Sequence, residues 1–212
     1  MGLKERRHRE KQERRRQIMA AARSLLFDRG LAATSIKQIA KRAELGVGTI
    51  YFYFQSKEEL FAALQVEGLQ LLYERIDAAC GKLSDPVDQL REAARVYYAF
   101  SHDPLRYFDV INYFLSAPDI LLSTELKRRV DEKSGDILAA ISDIITTGVK
   151  NRVLRPVDPG EAAILFWGSI HGLVQFRKLE STILKGKPHA MLFTQAVDQL
   201  LDGWEAAPGA LS

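Results

Sequence analysis

The stretch from Thr34 to Phe61 reads T-S-I-K-Q-I-A-K-R-A-E-L-G-V-G-T-I-Y-F-Y-F-Q-S-K-E-E-L-F, and it limits the possible folds more than any other part of the chain. Ile36, Ile39, Ala40 and Ala43 recur at helical spacing behind Thr34 or Ser35, either of which can cap the start of a helix. Lys37, Gln38, Lys41 and Arg42 fall on the opposite, solvated face. Glu44-Leu45-Gly46 breaks the run. A second helix opens near Gly46 or Val47, with Ile50 and Phe54 one turn apart and facing the first. Ala40 is small where the two helices must cross closely, as a helix-turn-helix requires. Val47, Gly48, Thr49, Tyr51 and Tyr53 are then left nearer the outside, and Thr and Tyr beside a glycine suit close approach to phosphates and base edges. Ser56-Lys57-Glu58-Glu59 starts a third helix at once. The set is too compact to hold an active site of its own, and it fits the major groove of DNA. The competing reading of Ile50 to Phe54 is an aromatic core stripe; it suits Ile50 and Phe54 better than the two hydroxyl-bearing tyrosines.

Charge points the same way. Residues 1–61 carry 14 Lys/Arg against 7 Asp/Glu, a net of +7, while the rest carries 16 against 20, a net of −4. Eight of the basic side chains lie between Lys4 and Arg16. This arm either is a solvated tail, or extends the first helix and tracks phosphates, adding affinity with little sequence information.

The residues T-S-I-K-Q-I-A-K-R-A, then G-T-I-Y-F-Y-F, then S-K-E-E-L resemble the tetracycline-repressor (TetR) family of bacterial transcription regulators. The resemblance covers about residues 14–61, roughly a quarter of the chain. It implies that Thr49, Tyr51 and Tyr53, with Val47 and Gly48 beside them, carry recognition. Lys57 resembles the family's phosphate clamp, and Ser35 and Lys37 resemble its backbone or base contacts from the first helix of the motif. Two positions depart from the pattern. Glu44 stands where the family has a turn glycine, and Gly46 where it has a capping Ser or Ala. A non-glycine residue at positive φ costs about 1 kcal/mol, and capping by Gly instead of Ser costs a few tenths.

The remaining chain reads as helix throughout. Ser56 to Gly81 is one amphipathic run. Asp85-Pro86 opens a helix ending near His102-Asp103-Pro104, with Asp85 as cap and Pro86 in its first turn. A short aromatic helix runs from Leu105 to about Leu115 and closes at Ala117-Pro118-Asp119. A long one spans Asp119 to about Leu154, with an interruption expected around Ser134-Gly135. Pro156 to Gly160 is a linker, and helices Gly160–Ser181 and Pro188–Ala206 finish the chain. No alternating strand pattern or hairpin signal is present. The expected fold is all-α, about nine helices, with an N-terminal basic arm and helix-turn-helix domain over 1–61 and a helical ligand-binding and dimerisation domain over 62–212.

Two features of that body suggest its use. The helix from Gly160 is apolar nearly all round, which implies burial on two sides, and the last helix has its own stripe. The resemblance implies a homodimer through these two helices. Phe166, Trp167, Ile170, Val174, Phe193, Val197, Leu200 and Trp204 are the candidate contacts. An ordinary interior helix in a monomer is the alternative. Between Tyr97 and Phe114 stand seven aromatics in 18 residues, which suits either core packing or an apolar cavity with a few polar groups to orient a ligand. Tyr97, Phe100, Tyr107, Phe108, Ile111, Asn112, Phe114, His171 and Gln175 are the candidate lining.

Several classes fall away. The four histidines have no metal-ligand spacing. Gly168-Ser169-Ile170-His171-Gly172 lacks the order and the preceding strand of a nucleophile elbow. No phosphate-binding or dinucleotide loop is present. No enzyme activity, cofactor or metal is expected. A single Cys80 forms no internal disulfide and fits a reducing cytoplasm. No secretion signal or membrane span is read. The expectation is a cytoplasmic, homodimeric transcriptional repressor that binds palindromic double-stranded operator DNA and is released by a small, largely apolar effector. A constitutive architectural DNA-binding protein, a ligand-dependent activator and a membrane-surface protein are the alternatives.

Overall fold

A computed structural model describes residues 2–30, 33–116 and 122–206, without the side chains of Leu3, Phe114 and Ser116. Nine α-helices form among the described residues: α1 (Leu3–Arg29), α2 (Ile36–Arg42), α3 (Val47–Tyr53), α4 (Lys57–Cys80), α5 (Pro86–Ser101), α6 (Tyr107–Ser116), α7 (Thr124–Lys150), α8 (Pro159–Gln175) and α9 (His189–Asp202). The chain forms two compact units, residues 1–68 with 107–131 and residues 69–106 with 132–212. No strand occurs among the described residues; the one extended contact is an isolated bridge between Leu154 and Glu205.

In the first unit the local chemistry of the chain sets each helix end. Ser35 caps α2, its hydroxyl accepting from the Gln38 amide at 3.3 Å while the Gln38 carboxamide accepts from the Ser35 amide at 2.8 Å. Thr34 turns inward instead, donating to the Gly30 carbonyl at 2.7 Å. Ser56 accepts from the Glu59 amide at 3.0 Å at the start of α4. The core gathers Ile18, Ala22, Leu25 and Leu26 of α1, Ile39 and Ala40 of α2, Ile50 of α3, and Phe54, Leu60 and Leu64. The first turns of α1 are exposed, so the basic arm is a helical extension of α1 that leaves the apolar seam before Ile18.

The second unit packs α5, α8 and α9 on one another. Asp85 caps α5, accepting from the amides of Val87 and Asp88 at 2.9 Å each, with Pro86 at the first helical position. Asp158 and Pro159 repeat the device at α8, where Asp158 accepts from the Glu161 amide at 2.8 Å. Proline suits this position because its missing N–H has no helical partner there. Leu90, Ala93, Tyr97, Phe100, Phe166, Ile170, Val174, Val197 and Leu201 fill the core.

Three expected boundaries change. α7 runs unbroken through Ser134-Gly135, because one glycine costs a helix only about 1 kcal/mol and the flanking residues are good helix formers. It also stops at Lys150, where the Gly148 carbonyl accepts from both Val153 and Leu154 and turns the chain before Leu154. α8 ends at Gln175 and tightens into a 3₁₀ turn, Phe176–Leu179. The expected closing segment Ala117-Pro118-Asp119 lies outside the described residues.

Candidate DNA-binding face and ligand site

The turn between α2 and α3 forms as its sequence requires, and at the expected cost. Glu44 takes φ 53°, the left-handed conformation that favours glycine. The Leu45 amide then reaches back to the Ala40 carbonyl at 2.9 Å. Gly46 caps α3 without a side-chain hydrogen bond. Ile50 and Phe54 are fully buried, which aims the remaining faces of α3 outward. Val47, Gly48 and Tyr51 are exposed, and Thr49 and Tyr53 are half-buried beside them. Ser35 and Lys37 are exposed on α2, and Lys57 is half-buried in the first turn of α4. Ser35 already spends its hydroxyl on the α2 cap.

α1 braces this motif. The Arg15 guanidinium lies 4.4 Å over the Phe54 ring, and its partial burial lowers its pKa. Gln17 donates to the Ala43 carbonyl at 2.7 Å, and Arg42 donates to the Ser24 hydroxyl at 2.6 Å.

Phe52 was not among the expected contacts, yet it is 74% exposed, more than Tyr51 at 51%. The signal was available. Phe52 lies two residues from both Ile50 and Phe54, about 200° round a helix and so on the far side from the buried pair.

The expected ligand residues divide between the two units. In the first, Tyr107, Phe108 and Ile111 are buried and Asn112 is half-buried; the side chain of Phe114 lies outside the described residues. Tyr107 is held on three sides. Its hydroxyl donates to Glu67 Oε2 at 2.7 Å, and the Arg23 guanidinium lies 4.4 Å over its ring. Gly68 has no Cβ where one would stand 2.9 Å from the ring. Burial, with the Glu67 carboxylate second, pushes the Tyr107 phenol upward.

In the second unit, Tyr97 and Phe100 are buried, and His171 and Gln175 are half-buried. Burial holds the His171 imidazole below its ordinary pKa, and its Nδ1 shares a hydrogen bond of 2.6 Å with the Tyr97 hydroxyl. The Gln175 carboxamide lies 3.4 Å from Nε2, and the Trp167 ring lies 4.6 Å from that of Tyr97, tilted by 51°. A cleft of about 380 Å³ opens elsewhere in this unit, between α5 and α9, over Leu83, Ala94, Tyr98, Phe193 and Val197.

The expected dimer contacts divide by their burial in the single chain. Phe166, Ile170, Val174, Phe193, Val197 and Trp204 are buried within the chain itself, in the packing of α8 and α9. Trp167 and Leu200 are half-buried. The apolar side chains that α8 leaves outside are Ile164 and Leu165, 61% and 62% exposed, with Phe176 beyond its end and Met191 on α9. A helix apolar on every side carries no stripe to say which face is turned in, so its sequence could not separate the two sets.

Among the described residues no group of His, Cys, Asp or Glu is arranged to hold a metal ion, and no helix is long and apolar enough to cross a membrane. Residues 18–64 match the family model for bacterial regulatory proteins of the tetR family. The transcriptional regulator HbdR of Aromatoleum sp. (strain CIB) is 34% identical over 88 residues, 42% of this chain and 38% of that protein. The chain thus spans well under half of HbdR's length in that match. RutR of Escherichia coli (strain K12), also a transcriptional regulator, is 26% identical over 77% of this chain and 74% of its own. The fold is that of AibR in its complex with isovaleryl coenzyme A and operator DNA, with a TM-score of 0.70 at 22% identity over 91% of this chain and 98% of that one. With its capped α2, glutamate-bearing turn and outward-facing α3, the segment 18–64 of this chain is the helix-turn-helix head of the tetR family of bacterial regulatory proteins.

Proposed function

We propose that this protein is a cytoplasmic homodimeric repressor whose operator is palindromic and whose release is triggered by a small, largely apolar ligand. One observation carries the DNA half of this reading: burial of Ile50 and Phe54 leaves Val47, Gly48, Thr49, Tyr51 and Tyr53 on the outer side of α3. Lys57 and Lys37 supply phosphate contacts around it, and the basic extension of α1 adds affinity that falls with salt. Residues 1–61 act as the DNA-binding head and 62–212 as the ligand-binding and dimerisation body.

Ile164, Leu165 and Phe176, with Met191 of α9, are the surface on which a second copy seats. Their exposure supports this, because large apolar side chains such as the neighbouring Ile164 and Leu165 are costly to leave in water. Two heads on a two-fold axis would read half-sites about 34–36 Å apart. Leu165→Asp should give monomers in sedimentation velocity; an unchanged dimer would exclude this face.

For the effector, His171, Tyr97 and Gln175 form a polar cluster among aromatics that a ligand can re-pair. AibR's complex with an acyl thioester of coenzyme A makes acyl-CoA esters the first probes to try. Within the first unit, α6 is tied to the DNA-binding head. Tyr107 on that helix is clasped by Arg23 of α1 and by Glu67 and Gly68 of α4, so a shift of α6 would tilt the head. To reverse occupancy, the ligand must favour the released state by about 5.5 kcal/mol. The test is operator binding by fluorescence anisotropy across an acyl-CoA series. Wild type should be released and His171→Leu should stay bound; release of both to the same extent removes His171 from the site. Operator binding that no member of the series changes would favour the constitutive reading.

A further inference from the structure

Among the described residues Phe52 is the most exposed large apolar side chain, and nothing inside the protomer accounts for it. It stands on the outer side of α3 with Tyr51 and Val47, the two other large side chains exposed there. Gly48 lies one turn earlier, where an added Cβ would meet nothing within 4 Å, so the helix surface beside the phenyl is open. The ring is not free to fold back. It meets the Tyr53 ring edge to face at 5.2 Å and 82°, and Tyr53 is itself half-buried.

A phenyl ring has no donor or acceptor, so it cannot read the hydrogen-bonding pattern of a base edge. The single apolar group that the major groove presents is the C5 methyl of thymine. The groove also supplies what would bring the ring there, since residues 1–61 carry a net charge of +7 toward the phosphates. We infer that Phe52 is a specificity residue: its ring packs on the C5 methyl of one thymine in each operator half-site and sets a T·A pair at that position by apolar contact. This rests on α3 lying in the major groove and adds to it a particular residue, a particular base and a mode of readout. The neighbouring tyrosines, by contrast, have hydroxyls that can bond to bases or phosphates.

The experiment replaces each thymine of a selected operator by uracil in turn, which removes the methyl and leaves every hydrogen bond. Affinity is measured by anisotropy for the full chain as wild type, Phe52→Ala and Phe52→Leu. Because Phe52 is exposed, neither substitution should disturb the fold, and circular dichroism checks this. One uracil position per half-site should weaken wild-type binding about fourfold, the worth of one buried methyl. The same change should have no effect on Phe52→Ala, and an intermediate effect on Phe52→Leu, which keeps an apolar tip. If no uracil position loses its effect in Phe52→Ala, the inference is wrong while the groove reading stands. If the wild type selects no DNA sequence at all, the groove reading falls and takes this inference with it.

Discussion

Gly68 in α4 and Gly135 in α7 should respond to the same substitution with opposite signs. Both lie inside helices, where alanine is worth about 1 kcal/mol more than glycine. At Gly135 an added Cβ meets nothing within 4 Å, so Gly135→Ala should collect that gain in full. For a chain of this size, about 1 kcal/mol raises Tm by roughly 2–4 °C. At Gly68 the Cβ would fall 2.9 Å from Tyr107 Cδ1, 3.0 Å from its Cβ and 3.2 Å from its Cγ. Carbon atoms rest at about 3.5–4.0 Å, so each of these contacts is repulsive. A rotamer change cannot relieve the middle one, because Tyr107 Cβ is tied to the backbone of α6. The ring is further held by Glu67 at 2.7 Å and Arg23 at 4.4 Å. Forcing such a site apart costs about 1–3 kcal/mol. Set against the helix gain, Gly68→Ala should lie between neutral and about 2 kcal/mol destabilised. Thermal denaturation followed by far-UV circular dichroism reads both variants on one scale. If Gly68→Ala is stabilised as much as Gly135→Ala, α4 and Tyr107 do not meet as described, and the clasp that couples α6 to the head is refuted.

Three further outcomes follow from named groups. Glu44 holds φ 53°, so Glu44→Gly should gain up to about 1 kcal/mol in urea denaturation, whereas Glu44→Val should lose stability because a β-branched residue resists that conformation. His171 has its folded pKa lowered by burial, so the unfolded chain takes up a proton first as pH falls below about 6.5. Its contribution to stability is complete above that pH and declines below it, and His171→Gln should flatten this part of a Tm-against-pH curve. In the α1 extension, joint replacement of Lys4, Arg7 and Lys11 by Gln removes six charges from a dimer and should make log K against log salt shallower by up to about 5.4, with base preference unchanged.

What could be read before folding was chemistry confined to a few neighbouring residues. Ser35 and Asp85 with Pro86 mark helix starts, and both form; Asp158 with Pro159 starts α8 in the same way, inside the stretch read as a linker. The buried pair Ile50 and Phe54 follows from helical spacing, and it exposes Tyr51 and also Phe52. The strain at Glu44 is legible for the same reason, since a tight turn demands its φ whatever residue stands there. Tertiary choices were not legible. In α8, Phe166 and Leu165 are adjacent and equally apolar, yet one is fully buried and the other mostly exposed. Only the positions of α5 and α9 decide between them. The continuity of α7 through Gly135 likewise depends on the sum over many residues, not on the one that seemed to break it. Tyr107 resembles a pocket aromatic in sequence, and its clasp by Arg23, Glu67 and Gly68 joins residues 39 and more positions away.

The most direct test is to select double-stranded DNA from a random pool with the purified full chain, then measure affinity for the selected sequence by wild type, Tyr51→Ala and Thr49→Val. Wild type should select a palindrome with half-sites one helical turn apart. At least one of the two variants should lose tenfold or more while folding normally, as expected when a base or phosphate contact is removed from both heads. Both variants binding the selected DNA as tightly as wild type would contradict the placement of α3 in the groove.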